Sequence, residues 1–144
     1  MTNQRKNILF LCTGNSCRSQ MAEGWTKFLK VDTINAFSAG TKPQALNPMA
    51  IKVMAEVGID ISTQTSKHID ALAGQDFDYI ITVCNSAKES CPIIPGTTKK
   101  IHVGFDDPPM LAENARSEEE ALTHYRRVRD EIRALIETLP TGLP

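Results

Sequence analysis

A short apolar run, Asn7-Ile8-Leu9-Phe10-Leu11, leads straight into Cys12-Thr13-Gly14-Asn15-Ser16-Cys17-Arg18-Ser19, and a helical pattern starts directly behind it. This succession constrains the chain more than any other stretch. Five consecutive apolar or amide residues with no polar alternation read as a strand over residues 7–12 buried on both faces, as in a parallel sheet. Met21, Trp25, Phe28 and Leu29 then recur at helical spacing, which predicts a helix with Trp25 in the core. A loop caught between such a strand and helix sits at the carboxyl edge of a sheet, where open α/β folds bind ligands.

The residues of that loop suit a tetrahedral anion. Backbone N–H groups of Thr13, Gly14, Asn15, Ser16, Cys17 and Ser19, together with the helix N-terminus, supply partial positive charge. Arg18 adds a planar fork of donors, and Gly14 permits unusual backbone angles. The same positive field favours the thiolate form of Cys12, and Ser19 is placed to hydrogen-bond it. A nucleophile facing an oxyanion serves two chemistries, ester hydrolysis and oxyanion reduction, and the loop alone does not choose. Neither a Walker-type loop nor a dinucleotide fingerprint is present.

Further strands are expected at residues 34–38, 78–83 and 100–104. Asn47-Pro48 is a helix start with Asn as N-cap, Ile51, Met54 and Val57 on its buried face and Gly58 as its stop. A short helix is expected over 68–73. Ser117-Glu118-Glu119-Glu120 fits a capping box opening a long helix, with Leu122, Tyr125, Val128, Ile132, Leu135 and Leu139 inward. Alternating strands and helices predict an α/β fold: a small four-stranded parallel sheet flanked by helices on both faces. The 144 residues suffice for a single domain spanning 1–144.

Composition excludes more than it selects. A net charge of −1 argues against nucleic acid as partner, and no apolar run reaches a membrane span or a signal-peptide core. A cytoplasmic monomer is the default, and there four cysteines point to catalysis or metal binding. Spacings of four and six intervening residues suit zinc poorly. Cys84 ends the third strand, at the same sheet edge as Cys12, and Cys91 follows six residues on. Were 85–90 helical, the two cysteines would lie on one face but ~10 Å apart along the axis, whereas a disulfide needs its Cα atoms within roughly 7 Å. Oxidation is therefore expected to unwind or loop out that segment, with a change in hydrogen exchange across 84–91.

Asp107, in Asp106-Asp107-Pro108-Pro109, is either a turn residue or the acid that protonates a departing oxygen. His68, His102 and His124 fit no metal spacing, and surface or partly buried roles are expected for them rather than catalysis. Arg126, Arg127, Arg129 and Arg133, interleaved with Asp130, Glu131 and Glu137, read as the solvated face of the last helix.

With these motifs in hand, the chain resembles the thioredoxin-coupled arsenate reductases, which share the low-molecular-weight protein tyrosine phosphatase fold. The resemblance covers roughly residues 7–136. It rests on residues 12–25, Ser-Ala-Gly at 38–40, Val-Gly-Ile-Asp-Ile-Ser at 57–62 and Cys84 with Cys91-Pro92-Ile93. Gly-Phe-Asp-Asp-Pro at 104–108 and Arg-Val-Arg-Asp-Glu-Ile at 127–132 complete it.

The resemblance implies that Cys12 attacks arsenate held by the loop amides and Arg18, while Asp107 assists the leaving oxygen. Cys84 then attacks Cys12 to release arsenite, Cys91 attacks Cys84, and thioredoxin reduces the Cys84–Cys91 disulfide. Cys17 is not one of the shuttling thiols. The resemblance further implies that no cofactor is bound, that thioredoxin is the external reductant, and that phosphate and sulfate compete with arsenate. Members of the family can hold potassium beside the loop, and Asn15, Glu23 and Ser38 match three of its positions. The fourth, an aspartate, is Lys67 here, so the expectation is no metal, with an ammonium in the ion's place or simply an exposed lysine. The alternative activity is that of a low-molecular-weight phosphatase acting through a Cys12 phosphoenzyme. Against it stand Pro109-Met110 in place of aromatic residues and a pair of extra cysteines such an enzyme does not need.

Overall fold

The structure is a computed structural model that describes residues 5–84 and 98–143. Four strands, β1 (Lys6–Cys12), β2 (Ile34–Gly40), β3 (Tyr79–Thr82) and β4 (Lys99–His102), form one parallel sheet in the order β2-β1-β3-β4. β1 is central, and its two-sided burial is why it contains no polar alternation. Ile8, Phe10 and Cys12 enter the larger core, whereas Leu9 and Leu11 join Ala39 and Ile80 on the opposite face. Helices α1 (Arg18–Leu29), α2 (Pro48–Glu56) and α4 (Glu118–Glu137) contribute Met21, Trp25, Val53, Met54, Val128 and Ile132 to the larger core. A 3-10 turn at Ile69–Leu72 helps cover the other face through Ile69 and Leu72, beside the edge-to-face pair Phe37 and Phe77. None of the described helices is long and apolar enough to cross a membrane.

The cap signals act largely as expected. Asn47 Oδ1 accepts from Met49 N at 2.8 Å and Ala50 N at 3.2 Å, so α2 begins at Pro48. Ser117 Oγ accepts from Glu120 N at 3.1 Å, but Glu120 Oε2 reaches back to Arg116 N rather than to the cap residue. Several buried-face assignments need correction. Phe28 is 59% exposed, because in the last turn of α1 the core-facing position is taken by Leu29. In α2 the buried residues are Ala50, Val53 and Met54, with Ile51 only partly covered. The helix expected over 68–73 is the tighter 3-10 turn, started by His68 Nδ1 accepting from Asp70 N at 3.0 Å.

Arg129 is not on a solvated face. It is 8% exposed and donates to Val53 O at 2.9 Å and Glu56 Oε1 at 2.9 Å, tying α4 to the last turn of α2. The guanidinium satisfies the late helix carbonyl of Val53 and pairs with the Glu56 carboxylate, while its charge complements the negative helix end. A short helix, α3 (Pro108–Leu111), was not foreseen; it places Asp107 at its N-cap position.

Candidate active site

Residues 12–18 wrap from the end of β1 to the start of α1, and the loop is held almost entirely from outside. Thr13 C=O accepts from Lys42 N, Gly14 C=O from Gln44 N and Ser16 C=O from Asn47 N, each at 2.9 Å. Gly14 C=O also accepts from Ser66 Oγ at 3.2 Å, and Asn15 C=O from Gln20 Nε2 at 3.0 Å. A trans peptide points its N–H opposite to its C=O. Four carbonyls anchored outward therefore turn the N–H groups of Gly14, Asn15, Ser16 and Cys17 inward, as an anion requires. Asn15 N shows this directly by donating to Cys12 Sγ at 3.3 Å. Asn15 pays for the curvature with a left-handed backbone, φ 46°, a region asparagine tolerates better than other residues with a Cβ. Its own side chain is fixed, with Nδ2 donating to Ser19 Oγ at 2.8 Å and Oδ1 accepting from Lys67 N at 2.9 Å.

Cys12 sits at the bottom, 3% exposed. Ser19 Oγ lies 3.0 Å from its sulfur, and because Ser19 accepts from Asn15, its own hydrogen remains for that sulfur. Cys17 is the N-cap of α1 and makes no side-chain cap, so the helix's first amides are not claimed by it. Burial pushes the Cys17 thiol far above its ordinary range, against the pull of Arg18, so it stays protonated. The loop thus holds one candidate nucleophile.

Arg18 is 6% exposed, and its Nη1 donates to Phe105 O at 3.0 Å while Nη2 lies 3.8 Å from Asp107 Oδ1. That link joins the anion loop to the segment after β4 and brings Asp107 to the site. A cleft of about 200 Å3 opens there, lined by Thr13, Gly14, Ser16 and Arg18 of the loop with Gln44, Asp107 and Pro109. Among the described residues, no aromatic ring lines it.

β3 runs parallel to β1, so its carboxyl end arrives beside Cys12. Val83 N donates to Leu11 O at 3.0 Å, and Cys84, the next residue, is buried in the same core cluster as Cys12. Cys12 and Cys17 are free thiols, whereas Cys84 is disulfide-bonded. Cys91, and with it the segment expected to unwind on oxidation, lies outside the described residues.

Beside the loop, Lys67 Nζ donates to Ser38 O at 3.0 Å and Thr65 O at 2.7 Å. Glu23, 5% exposed, accepts from Ser38 Oγ and from Lys27 Nζ, both at 2.5 Å. Desolvation draws the Lys67 ammonium below the usual lysine value, and Glu23 pulls it back up. Asn15, Glu23, Ser38 and Lys67 are thus linked in a chain of hydrogen bonds, Asn15 Oδ1 to Lys67 N, the Lys67 ammonium to Ser38 O, and Ser38 Oγ to Glu23; an ammonium already on that carbonyl does not fit a bound potassium ion. No cluster of His, Cys, Asp and Glu suited to a metal occurs among the described residues.

Sequence reasoning missed Gln20, Lys42, Gln44, Asn47 and Ser66 as the outer supports of the loop. It also missed why Gly40 is glycine: a Cβ there would lie 2.4 Å from Thr13 O. Only the Ser-Ala-Gly motif hinted at that approach.

Comparison with known proteins agrees with this geometry. Residues 7–143 match the family model described as low molecular weight phosphotyrosine protein phosphatase. The chain is 52% identical to an arsenate reductase of Bacillus licheniformis over 128 residues, covering 89% of this chain and 90% of that one. An arsenate reductase of Bacillus subtilis is 50% identical over 129 residues, covering 90% and 91%. Among solved structures, an arsenate reductase in the phosphate binding state superposes with a TM-score of 0.76 at 33% identity, covering 96% of this chain and 99% of that one. A fold with Cys12 and Arg18 bracketing an inward-turned amide loop, matched over nearly its whole length, belongs to the low molecular weight phosphotyrosine protein phosphatase family.

Proposed function

We propose that this chain reduces arsenate to arsenite through a three-thiol relay recharged by thioredoxin. The observation that carries the reading is the position of Cys84, one residue past the Val83–Leu11 hydrogen bond and therefore beside Cys12 at the same sheet edge. A hydrolase needs no second thiol there. The Bacillus relatives named arsenate reductases support the choice of substrate, and a rim with no aromatic ring among the described residues favours a bare oxyanion over an aryl ester.

Arsenate docks on the amides of Gly14 to Cys17 and the Arg18 fork. The Cys12 thiolate attacks arsenic, an S–As bond forms, and one oxygen leaves as water with a proton from Asp107. Cys84 then attacks Cys12 Sγ. The S–S bond forms as the S–As pair passes to arsenic, which leaves as arsenite, reduced from As(V) to As(III). Cys91 attacks Cys84 and frees Cys12, and a thioredoxin dithiol reduces the Cys84–Cys91 bond by exchange. A disulfide at Cys84 beside free Cys12 and Cys17 is the state this last internal step leaves. Phosphate and sulfate, which share the tetrahedral shape, compete at the loop. Lys67 supplies the positive charge that potassium supplies in other members, and the enzyme acts as a cytoplasmic monomer.

A coupled assay with arsenate, thioredoxin, thioredoxin reductase and NADPH tests the proposal. Wild type is expected to turn over repeatedly, and Cys91→Ser to release arsenite once and stop. Sustained turnover by Cys91→Ser refutes the relay, and phosphate-ester hydrolysis without arsenate reduction establishes the phosphatase alternative.

A further inference from the structure

Gln20, in the first turn of α1, is fully buried at 0% exposure, and no step of the relay uses it. A buried carboxamide is stable only when both N–H groups and the oxygen are paired. Here Nε2 donates to Asn15 O and to Thr65 O, each at 3.0 Å, and Oε1 accepts from Gln64 Nε2 at 2.8 Å. Two carbonyls at one end and a donor at the other leave no freedom in which end is nitrogen.

The outward anchors of the anion loop are not equivalent. Thr13, Gly14 and Ser16 are each held by a backbone N–H of the following segment, which no side-chain change removes. Among the described residues, Asn15 C=O is held by a side chain, Gln20 Nε2. That carbonyl belongs to the residue with φ 46°, the most conformationally costly position of the loop.

We propose that Gln20 is a positioning residue that holds the Asn15–Ser16 peptide with its N–H toward the oxyanion, setting the loop for a phosphate- or arsenate-like dianion before one binds. The inference rests on the oxyanion-site reading above. Without the donor, a buried carbonyl is left unsatisfied, and rotation of the peptide relieves it. The rotation removes one N–H from the cleft and turns a carbonyl oxygen toward the anion. An amide that contacts the oxyanion equally in ground and transition states acts on KM and leaves kcat alone.

The test compares wild type, Gln20→Met and Gln20→Glu for inorganic phosphate binding by calorimetry and for arsenate KM and kcat in the coupled assay. Gln20→Met is expected to weaken phosphate roughly tenfold and raise arsenate KM by a similar factor, with kcat within about twofold. Gln20→Glu keeps the shape and the acceptor for Gln64 but, ionised, no donor, and is expected to weaken both further. Gln64→Leu, outside the core, removes the donor to Oε1 and so loosens the carboxamide that holds Asn15 O; it reads the same effect in weaker form even where the buried variants do not fold, with an expected loss of about threefold. A purely structural role gives the opposite split: kcat falls with the active fraction while KM and phosphate affinity stay at wild-type values. That pattern, or unchanged affinity in Gln64→Leu, overturns the inference while leaving the wild-type activity intact. A wild type that binds neither phosphate nor arsenate overturns the reading of the site and the inference with it.

Discussion

A methyl group on residue 40 would meet Thr13 O at 2.4 Å and Asn15 N at 3.0 Å, both backbone atoms of the anion loop. Gly40→Ala must therefore move the loop or β2, and overpacking of this kind costs about 1–3 kcal/mol. Urea unfolding should show that loss, and phosphate affinity should fall more than tenfold, roughly, if the loop is what yields. Lys67 makes a second prediction at this scale. With its ammonium bound to Ser38 O and Thr65 O, activity should be the same in potassium and sodium salts. Lys67→Asp restores the fourth family position and should introduce a potassium requirement; strong potassium activation of wild type would count against the assignment. The meeting of Arg18 and Asp107 beside the loop that Cys12 opens was legible because the proposed oxyanion chemistry needs those residue types there. Gln20 and Gly40 were not, because their partners are chosen by chain crossings that spacing does not encode.

Between elements, the contact that best shows the limits of pattern reading is the charged seam of α2 and α4. Glu56 accepts from Arg126 Nε at 3.0 Å and Nη2 at 2.8 Å, and from Arg129 Nη1 at 2.9 Å. Charge alternation suggested a solvated face, yet Arg129 lies four residues after Tyr125 and three before Ile132, on the buried stripe itself. Helical spacing carried that information, and residue polarity concealed it. Hydrogen bonds from Arg126, then from Arg129, hold the Glu56 carboxyl below the usual glutamate range. A depressed carboxylate contributes stability that is complete above its unfolded-state pKa and vanishes as pH falls through the folded-state value. Glu56 is a third exposed, so solvent screens the pair and the contribution near neutrality is about 0.5 kcal/mol. Glu56→Gln should thus be less stable than wild type at pH 7, and the gap should close progressively in acid below the glutamate range. A gap independent of pH would show that packing, not charge, joins the two helices.

Across the molecule, the alternation of strands and helices was readable from the apolar runs, and so was the two-sided burial of β1. Less legible were the ends of β4, whose residues are mostly exposed at a sheet edge, and α3, whose four residues carry Pro at both of the first positions and too little length for periodicity. Both lie in the segment that delivers Asp107, so the acid's position depended on the least legible part of the chain. The site itself is assembled from distant segments: the loop after β1, residues 42–47 beyond β2, residues 64–67, and the segment after β4 tied by Arg18 to Phe105 O. Binding that needs all of them together must disfavour unfolding of any, since the unfolded chain offers no site. Phosphate at about a hundred times its dissociation constant should stabilise the fold by roughly 2.7 kcal/mol, a rise in melting temperature of about 5–10 °C for a chain of this size. Cys12→Ser, which keeps the amides and Arg18, should retain most of that rise. Arg18→Ala removes both the guanidinium fork and the tether to Phe105 O, and should lose it. An undiminished rise in Arg18→Ala would mean that phosphate stabilises the protein from somewhere other than this loop.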